Sequence, residues 1–374
     1  YLGKEEWLWN LVTTQELPRA FCVGYRGDPE VDICRYCGCN IAAKYGTRYG
    51  WLRDPLDKEW KVQCPDCRRH FPSNDFGSFY QLGIDEHGNW SYKQAKEENA
   101  KIVANGGKGY LTNDLYPEKD KQLGITGWGV DDGYGYNTGR VYDMGTYQQP
   151  EVWTYIAFYN HWGVWLNGIQ PGCIETALSS LRDAYIYTGE ERYGRTGAIL
   201  LDRVADVWPA MDTNPYGWFQ TAQNNYIPQG KVVDYIWENE LIEGHIKAYD
   251  AFYPMYDDPY VVNFLSEKAE KYQMENTQDA PQKIRKNAED NLLREAFRAA
   301  KDGKINGNFG MTQSVIAYAA VVLDTMPETK EMLDWNFQAG GGVGEWPYRL
   351  VTGGNINPQL IDKVNRDGVA SGEI

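Results

Sequence analysis

The sequence lacks long runs of basic residues, and this absence limits the partners it can have. Lys and Arg number 37 against 52 Asp and Glu, which gives a net charge of -15 at pH 7. Binding to a nucleic-acid backbone or to an anionic membrane surface needs clustered positive charge. The composition therefore argues against nucleic acid and against an anionic lipid surface as partners.

Long apolar runs are also missing. No stretch approaches the ~18–20 apolar residues that cross a bilayer, so we expect no membrane span. The chain opens at YLGKEEW with neither an initiator Met nor the pattern of a signal peptide. We therefore expect a processed or trimmed piece of a longer protein.

Aromatic residues, by contrast, are abundant, with 28 Tyr, 14 Trp and 11 Phe. Flat rings stack on the faces of sugars, but they also fill ordinary protein cores. The composition is compatible with a carbohydrate ligand and does not by itself select one.

Two Cys-x-x-Cys pairs stand near the start of the chain, CRYC at residues 34–37 and CPDC at residues 64–67. Two such knuckles can place four thiolates around one Zn²⁺, with the residues between them folded back as a short hairpin. A pair of disulfides is the alternative in an oxidising compartment, although the two-residue spacing strains such a bridge. Cys39 and His70 are substitute ligands. Because four thiolates close the coordination shell, we predict a structural zinc ion held by Cys34, Cys37, Cys64 and Cys67.

The composition divides the chain into four stretches. Residues 1–20 are expected to form an N-terminal helix that packs on the main body, and residues 21–75 a zinc-ribbon-like β insert. Residues 76–146 are rich in Gly, Asn, Asp and Tyr, which predicts a loop-rich excursion. From residue 147 to residue 374 the apolar residues recur at i, i+3, i+4 and i+7, which indicates successive helices.

These helices predict the fold class. Gly, Asp-Pro or Asn-Pro ends most of them, as helix stops should. Antiparallel helical hairpins can stack and close into a ring, and no fixed-period repeat favours an open solenoid. The predicted class is therefore mainly α, an incomplete α/α toroid with a small N-terminal zinc-ribbon-like β insert. The predicted helices are 151–166, 173–189, 191–208, 232–253, 259–272, 283–303, 311–324 and 328–340.

Three stretches resemble the heparinase II/III-like polysaccharide lyases. They are INGNFGMTQSVIAYAA from residue 305, VNRDGVASGE from residue 364 and the helical hairpin LRDAYIYTGEERY from residue 181. The resemblance covers roughly residues 150–374, and the cysteine insert is not general to the family. It implies an α/α toroid, usually followed by a β-sandwich domain that would lie beyond this chain.

The resemblance also implies an activity, the cleavage of uronic-acid polysaccharides by β-elimination. The substrate would be an acidic polysaccharide such as a glycosaminoglycan, alginate or an ulvan-like chain, and the protein would be bacterial and periplasmic or secreted. In the family a catalytic Tyr follows the Asp-Gly…Glu segment, whereas this chain stops at Ile374. We therefore expect the parent protein to be active and this piece alone to be weak or inactive.

β-Elimination removes the C5 proton of a uronate, and the neighbouring carboxylate must be neutralised before that proton can leave. Asn308 matches the family's neutralising Asn, and it precedes a predicted helix whose N-terminal N–H groups could face an anion. Without the resemblance, Asn308 would be interpreted as the N-cap of that helix. Gln313, about one turn further on, is either a second amide donor or a helix surface residue.

A base must then take the proton, and an acid must protonate the leaving oxygen. Some relatives place His directly after the Asn, where this chain has Phe309, so the base must come from elsewhere. His245 is the best candidate for the catalytic base, with a packed core histidine as the alternative. Glu243 and His161 are candidate substrate-binding residues, and His161 fits a buried histidine equally well.

The glycine-rich stretch at residues 341–354 and the end of the chain supply further candidates. Trp346 and Tyr348 could form a lid that lays rings over a sugar, or the stretch could be a plain connecting loop. Arg366 could hold a substrate carboxylate or sulfate with two hydrogen bonds, or pair with Asp367 at the surface. Local cations such as Lys231 would then offset the acidity of the chain, which favours a modestly charged uronan over a heavily sulfated one.

Two other classes of function stay open. A glycoside hydrolase on the same fold would use two carboxylates ~5–10 Å apart. A non-catalytic glycan-binding protein would use the aromatic residues alone. The carboxylates available to a hydrolase are Glu238, Glu240, Glu243 and Asp250.

Overall fold

The computed structural model describes residues 1–12, 34, 36–46, 50–111, 136–143, 148–153, 161–165, 169–211, 231–232, 238–302, 305 and 311–337. Within these residues the protein is mainly helical and carries a small three-stranded sheet. None of the helices in these ranges combines the length and the apolar character that crossing a membrane requires.

Most of the described helices lie after residue 172. Short 3₁₀ turns, Trp208–Ala210 and Tyr253–Asp257, follow the helices that end at Val207 and Phe252. A π-turn, Glu289–Leu293, joins the helix that ends at Ala288 to the one that begins at Arg294. The helices predicted from residue 173 onward are confirmed, with ends that shift by a few residues. The described helices are α1 (Glu5–Leu11), α2 (Ile41–Tyr45), α3 (Phe76–Leu82), α4 (Tyr92–Ala104), α5 (Cys173–Thr188), α6 (Glu191–Val207), α7 (Glu238–Phe252), α8 (Pro259–Lys271), α9 (Pro281–Ala288), α10 (Arg294–Lys301), α11 (Met311–Leu323) and α12 (Glu328–Phe337).

Local sequence signals set several of these helix ends. Helix α5 ends at Gly189, which adopts a φ of 70° and donates its N–H to the Tyr185 carbonyl at 2.8 Å. Such a left-handed residue strongly favours glycine. Helix α8 begins with Pro259 after Asp258, whose carboxylate accepts from the Tyr260 N–H at 2.8 Å. Both arrangements follow the usual chemistry of helix ends.

Helix α6 is the centre of the helical body. It packs against α1, α5, α7, α8 and α9, and most of its residues are buried. Gly197 permits the close approach of α7, because a Cβ at this position would lie 2.1 Å from Cζ of Phe252. Helix α7 in turn packs against α5 and α11. The core therefore lies between helices that are far apart in the sequence.

The small sheet lies next to the two cysteine pairs. Its antiparallel strands are β1 (Leu52–Arg53), β2 (Val62–Gln63) and β3 (His70–Phe71), with β2 in the centre. Two further antiparallel pairs follow, β4 (Tyr136–Asp143) with β5 (Gln148–Trp153) and β6 (Gly163–Trp165) with β7 (Ile169–Pro171). The hairpin predicted between the cysteine pairs is present as β1 and β2.

Three sequence-based predictions of secondary structure are wrong in part. Residues 151–166 are predicted as a helix, but β5 and β6 occupy both ends of this segment. Aromatic and β-branched residues in a short apolar run fit a strand as well as a helix, and strand pairing decides between them here. Residues 76–146 are predicted as loop-rich, but α3 and α4 form after Asp75 and Ser91, whose side chains cap them. The helix expected over residues 1–20 ends at Leu11, and residues 13–33 lie outside the described residues.

The structure shows how neighbouring helices pack, which is less than the whole architecture that the sequence predicts. Neighbouring helices pack as hairpins, such as α5 with α6 and α11 with α12. The closure of these hairpins into a toroid stays a prediction, as does the division of the chain into domains. The zinc-ribbon character of the cysteine region likewise stays a prediction.

Candidate functional site

The four predicted metal ligands lie together. The Sγ atoms of Cys34 and Cys67 are 3.9 Å apart, those of Cys37 and Cys64 are also 3.9 Å apart, and all four lie within 4.8 Å of one another. A tetrahedral site with Zn–S bonds of ~2.3 Å requires sulfur atoms ~3.8 Å apart. A disulfide requires about 2.05 Å. The spacing fits four ligands of one metal ion and does not fit two disulfides.

Two equivalent turns hold these cysteines. Gly38 has a φ of 73° and donates its N–H to the Cys34 carbonyl at 2.8 Å, while Arg68 has a φ of 61° and donates to the Cys64 carbonyl at 3.0 Å. The residue after each pair is therefore left-handed, and the turn around it brings the two thiols of the pair to the same side. Of the substitute ligands, neither Cys39 nor His70 belongs to the cluster of four.

The four thiols of the cluster differ in their exposure to solvent. Cys34 and Cys64 are buried, and burial raises the pKa of Cys64 to about 11, although the N–H groups of Cys67 and Asp66 oppose the shift. Cys37 is exposed. A bound cation would supply the positive charge that keeps such thiols ionised. Asp66 beside the cluster pairs with Lys44, which lowers the pKa of its carboxyl group.

The helical body holds a second polar group, a buried histidine paired with a carboxylate. Nε2 of His245 on α7 lies 2.7 Å from Oε1 of Glu175 in the first turn of α5. An ionised carboxylate can only accept, so Nε2–H donates, and in the neutral imidazole Nδ1 then carries the lone pair. The His245 ring is fully buried and makes an edge contact with Trp208, with ring centroids 4.8 Å apart. Nδ1 has no hydrogen-bond partner in the described part of the chain.

A buried ion pair lies beside the same tryptophan. Nζ of Lys231 is 2.7 Å from Oε1 of Glu295 and donates to the carbonyls of Trp208 and Pro209, both at 3.1 Å. The side chain of Lys231 is completely buried. The expectation of Lys231 as a groove cation is therefore wrong, because its charge is taken up by Glu295 and by the two carbonyls. Sequence reasoning missed Glu175 and Glu295, since their partners lie 70 and 64 residues away along the chain.

Gln313 is buried on α11, with 2 % of its surface exposed. Neither its Oε1 nor its Nε2 has a hydrogen-bond partner among the residues that the structure describes. Its backbone carbonyl accepts from Nδ2 of Asn336 at 2.9 Å. The interpretation of Gln313 as a surface residue is therefore wrong, whereas its role as an amide donor stays a prediction.

The remaining candidates fall into two groups. Glu243 pairs with Lys247 one turn later, at the partly exposed side of α7, and is not part of the buried group around His245. His161 is buried, its ring is 4.8 Å from that of Trp60, and burial lowers its pKa to about 3, although the carbonyls of Glu59 and Leu11 oppose the shift. The other predicted site residues lie outside the described residues, namely Asn308, Trp346, Tyr348 and Arg366.

Sequence reasoning also missed a pair of buried carboxylates on α6. Asn287 donates to Oδ1 of Asp202 at 3.0 Å and to Oδ1 of Asp206 at 2.8 Å. Burial raises the pKa of both carboxyl groups, and the charge of Asp206 raises that of Asp202 further. The signal in the sequence is the i, i+4 spacing of two Asp residues within the apolar run ILLDRVADV.

Comparisons with protein-family models, with curated proteins and with solved structures find no match to this chain. The fold and the chemistry must therefore be argued from the residues themselves. The observations that bear on function are the four-cysteine cluster and the pair of Glu175 with His245.

Proposed function

We propose that the chain is the helical part of a polysaccharide lyase that cleaves uronic-acid polysaccharides by β-elimination. The observation that carries the proposal is the buried hydrogen bond between His245 and Glu175. A carboxylate that holds one ring nitrogen fixes the orientation and tautomer of an imidazole, and it raises the basicity of the other nitrogen. The arrangement suits a general base. The proposal requires that Nδ1 of His245, which is buried in this structure, opens to the substrate.

The proposed reaction has two parts. Nδ1 of His245 takes the C5 proton, the electrons of that bond form the C4–C5 double bond, and the bond from C4 to the glycosidic oxygen breaks. The leaving oxygen takes up a proton, from the Tyr that the resemblance implies or from the histidine. Asn308 is proposed to hydrogen-bond the substrate carboxylate, so that the negative charge developing on it is stabilised. Gln313, buried and without a partner for its amide in the described residues, is proposed as a second donor.

The hydrolase alternative has less support. Glu240 and Asp250 are exposed on α7, and Glu243 already pairs with Lys247. Glu238 is buried and accepts a hydrogen bond from the Val232 N–H. A hydrolase needs two carboxylates that face one glycosidic bond. These side chains supply no such pair on the helix where the sequence offers them.

We further propose that the metal of the four-cysteine cluster is zinc and that its role is structural. The donor set of four thiolates selects a thiophilic metal, and zinc is the usual one at this spacing. Four protein ligands leave no coordination position for water or substrate. The cluster therefore holds the small sheet together and takes no part in the reaction.

The test of the proposed base compares histidine variants in the full-length protein. The assay follows the ultraviolet absorbance of the unsaturated product from a panel of uronic-acid polysaccharides. We expect His245→Gln to lower the rate by about 10²–10⁴-fold, the usual contribution of a general base. The matched control is His87→Gln, because His87 is exposed in a turn.

Glu175→Gln provides the second readout. It keeps the size of the side chain and removes the charge that holds Nε2–H of His245, so the rate should fall although the fold is retained. A folded His245→Gln protein with the activity of the wild type would contradict the assignment. Circular dichroism and thermal unfolding of each variant separate a loss of chemistry from a loss of fold.

A further inference from the structure

A cavity of about 390 Å³ lies at the junction of the N-terminal helix, the cysteine-bearing region and the helical body. Small-molecule sites in proteins typically measure ~300–1,000 Å³. The walls come from α1, the residue pair before β2, α3 with the turn after it, the candidate residue His161, α6 and the end of α8, so that six parts of the chain meet there. Such convergence is typical of a binding site that the fold has built.

Among the buried hydrogen-bond donors at this cavity, two have no acceptor in the described part of the chain. The indole Nε1 of Trp9 and the guanidinium Nε of Arg203 are both buried and lack a partner within the described ranges. Trp9 is 3 % exposed and Arg203 6 %. A buried donor without an acceptor destabilises the folded state, and more so when the group is charged. An acceptor from a ligand would remove this destabilisation.

The charges at the cavity favour an anion. Arg203 and the exposed Lys271 carry positive charge, and Lys271 has no ion pair among the described residues. Among the described residues Arg203 has one carboxylate partner, Asp206, at the long distance of 3.4 Å. Its Nη2 also donates to the Gly88 carbonyl at 3.5 Å, and its guanidinium carbon lies 4.1 Å from the centre of the Trp9 ring. The carboxylate that lines the cavity, Glu59, already accepts from the indole N–H groups of Trp7 at 2.7 Å and Trp60 at 3.1 Å. The donors left over at the cavity therefore carry net positive charge.

The walls favour a ring-shaped ligand with apolar faces. Trp60 and Tyr80 lie side by side, with ring centroids 4.6 Å apart, and Tyr272 stacks on Trp9 at 5.0 Å. All four line the cavity. Aromatic rings present flat apolar faces with polar N–H and O–H groups at their edges, which suits the faces and hydroxyl groups of a sugar. At the rim, the exposed polar side chains of Asn10 and Gln81 offer further hydrogen bonds.

We propose that this cavity binds a sugar residue that carries a carboxylate or a sulfate group. The anionic group lies against Arg203, Trp9 and Lys271, and the sugar ring lies between the aromatic walls. The cavity shares none of its lining residues with the group of Glu175, His245 and Lys231. The proposal concerns binding alone, so it stands or falls separately from the lyase chemistry.

The experiment measures the binding of sodium D-glucuronate, of glucose 6-sulfate and of the neutral methyl glucoside by isothermal calorimetry. The quenching of tryptophan fluorescence gives an independent readout, because Trp7, Trp9 and Trp60 line the cavity. We expect both anionic sugars to bind at least about tenfold more tightly than the neutral one, a difference that corresponds to one good charge-assisted contact. Preference for one anionic sugar over the other identifies the group that the cavity recognises.

The variants separate the cavity from the rest of the surface. Lys271→Gln should weaken the binding of the anionic sugars by about two- to fivefold, as expected for an exposed charge, and Arg203→Met should weaken it more. Lys93→Gln, an exposed lysine of α4 outside the cavity, is the matched control and should bind as the wild type does.

Three results would overturn the proposal. They are the absence of saturable binding by either anionic sugar, equal affinity for the neutral sugar, and unchanged binding in Lys271→Gln. Lys271 is exposed, so Lys271→Gln is expected to fold even if Arg203→Met does not. Binding can then still be compared between the wild type and Lys271→Gln. A lyase that lacks this binding, or a binder that lacks lyase activity, would show which of the two proposals fails.

Discussion

Removal of the metal from the four-cysteine cluster gives the most quantitative prediction. The perturbation is a strong chelator or the variant Cys64→Ser, which removes a buried ligand. A bound metal stabilises the folded state by RT ln(1 + [M]/Kd), about 4 kcal/mol at a free metal concentration a thousandfold above Kd. The effect should be local, because the turns around the cysteines and the small sheet beside them depend on the metal and the helical body does not.

Two backbone amides should exchange faster when the metal is removed. The N–H groups of Gly38 and Arg68 donate to the carbonyls of Cys34 and Cys64 within the two turns. A loss of about 4 kcal/mol corresponds to about a thousandfold faster hydrogen exchange at these amides. Amides in α6, which is buried at the centre of the helical body, should exchange as before.

The assay is amide hydrogen exchange measured with and without chelator, together with metal analysis of the purified protein. The matched control is Cys173→Ser, because Cys173 is a buried thiol outside the cluster. One equivalent of zinc is expected in the wild type and in the control, and none in Cys64→Ser. The reasoning fails if the protein holds no metal, or if chelation leaves the exchange of the Gly38 and Arg68 amides unchanged.

Two further predictions concern helix α6. Asp202 has a raised pKa because it is buried and lies near Asp206, so the folded state binds its proton more tightly than the unfolded state does. The free energy of unfolding should therefore fall as the pH rises from the unfolded pKa through the folded one. Asp202→Asn should remove part of this fall, at about 1.4 kcal/mol per unit of pKa shift. Urea unfolding between pH 4 and pH 7 measures the pH dependence, and equal pH slopes in both proteins would refute the prediction. Gly197→Ala should cost at least ~1–3 kcal/mol, since its Cβ would overlap the ring of Phe252 at 2.1 Å. Gly189→Ala, with a φ of 70° and nothing within 4 Å of its Cβ, should cost only the ~1 kcal/mol of left-handed backbone strain, so thermal unfolding that ranks the two variants in reverse would contradict the packing.

Local signals predicted a large part of the fold. The end of α5 at Gly189 and the start of α8 at Asp258 and Pro259 depend on residues at those positions alone, and a single sequence displays them. The cysteine cluster was predictable for a related reason, because the two-residue spacing within each pair already fixes the geometry of its turn.

The features that escaped prediction depend on distant partners. Glu175 in the first turn of a helix resembles an ordinary surface acid, and only the packing of α5 against α7 brings it to His245. Gly197 looks like a weak point within a helix until the Phe252 ring occupies the space beside it. The segment at residues 151–166 has an apolar pattern that fits two periods, and strand pairing rather than periodicity decides it.

The lyase proposal depends on the transfer of the C5 proton of a uronate to Nδ1 of His245, whose ring is held by Glu175. Its most direct test is the incubation of the full-length protein with uronic-acid polysaccharides while ultraviolet absorbance and reducing ends are followed together. We predict that both rise in parallel for the wild type and that both stay flat for His245→Gln. New reducing ends without the absorbance of an unsaturated product would identify a hydrolase and contradict the claim.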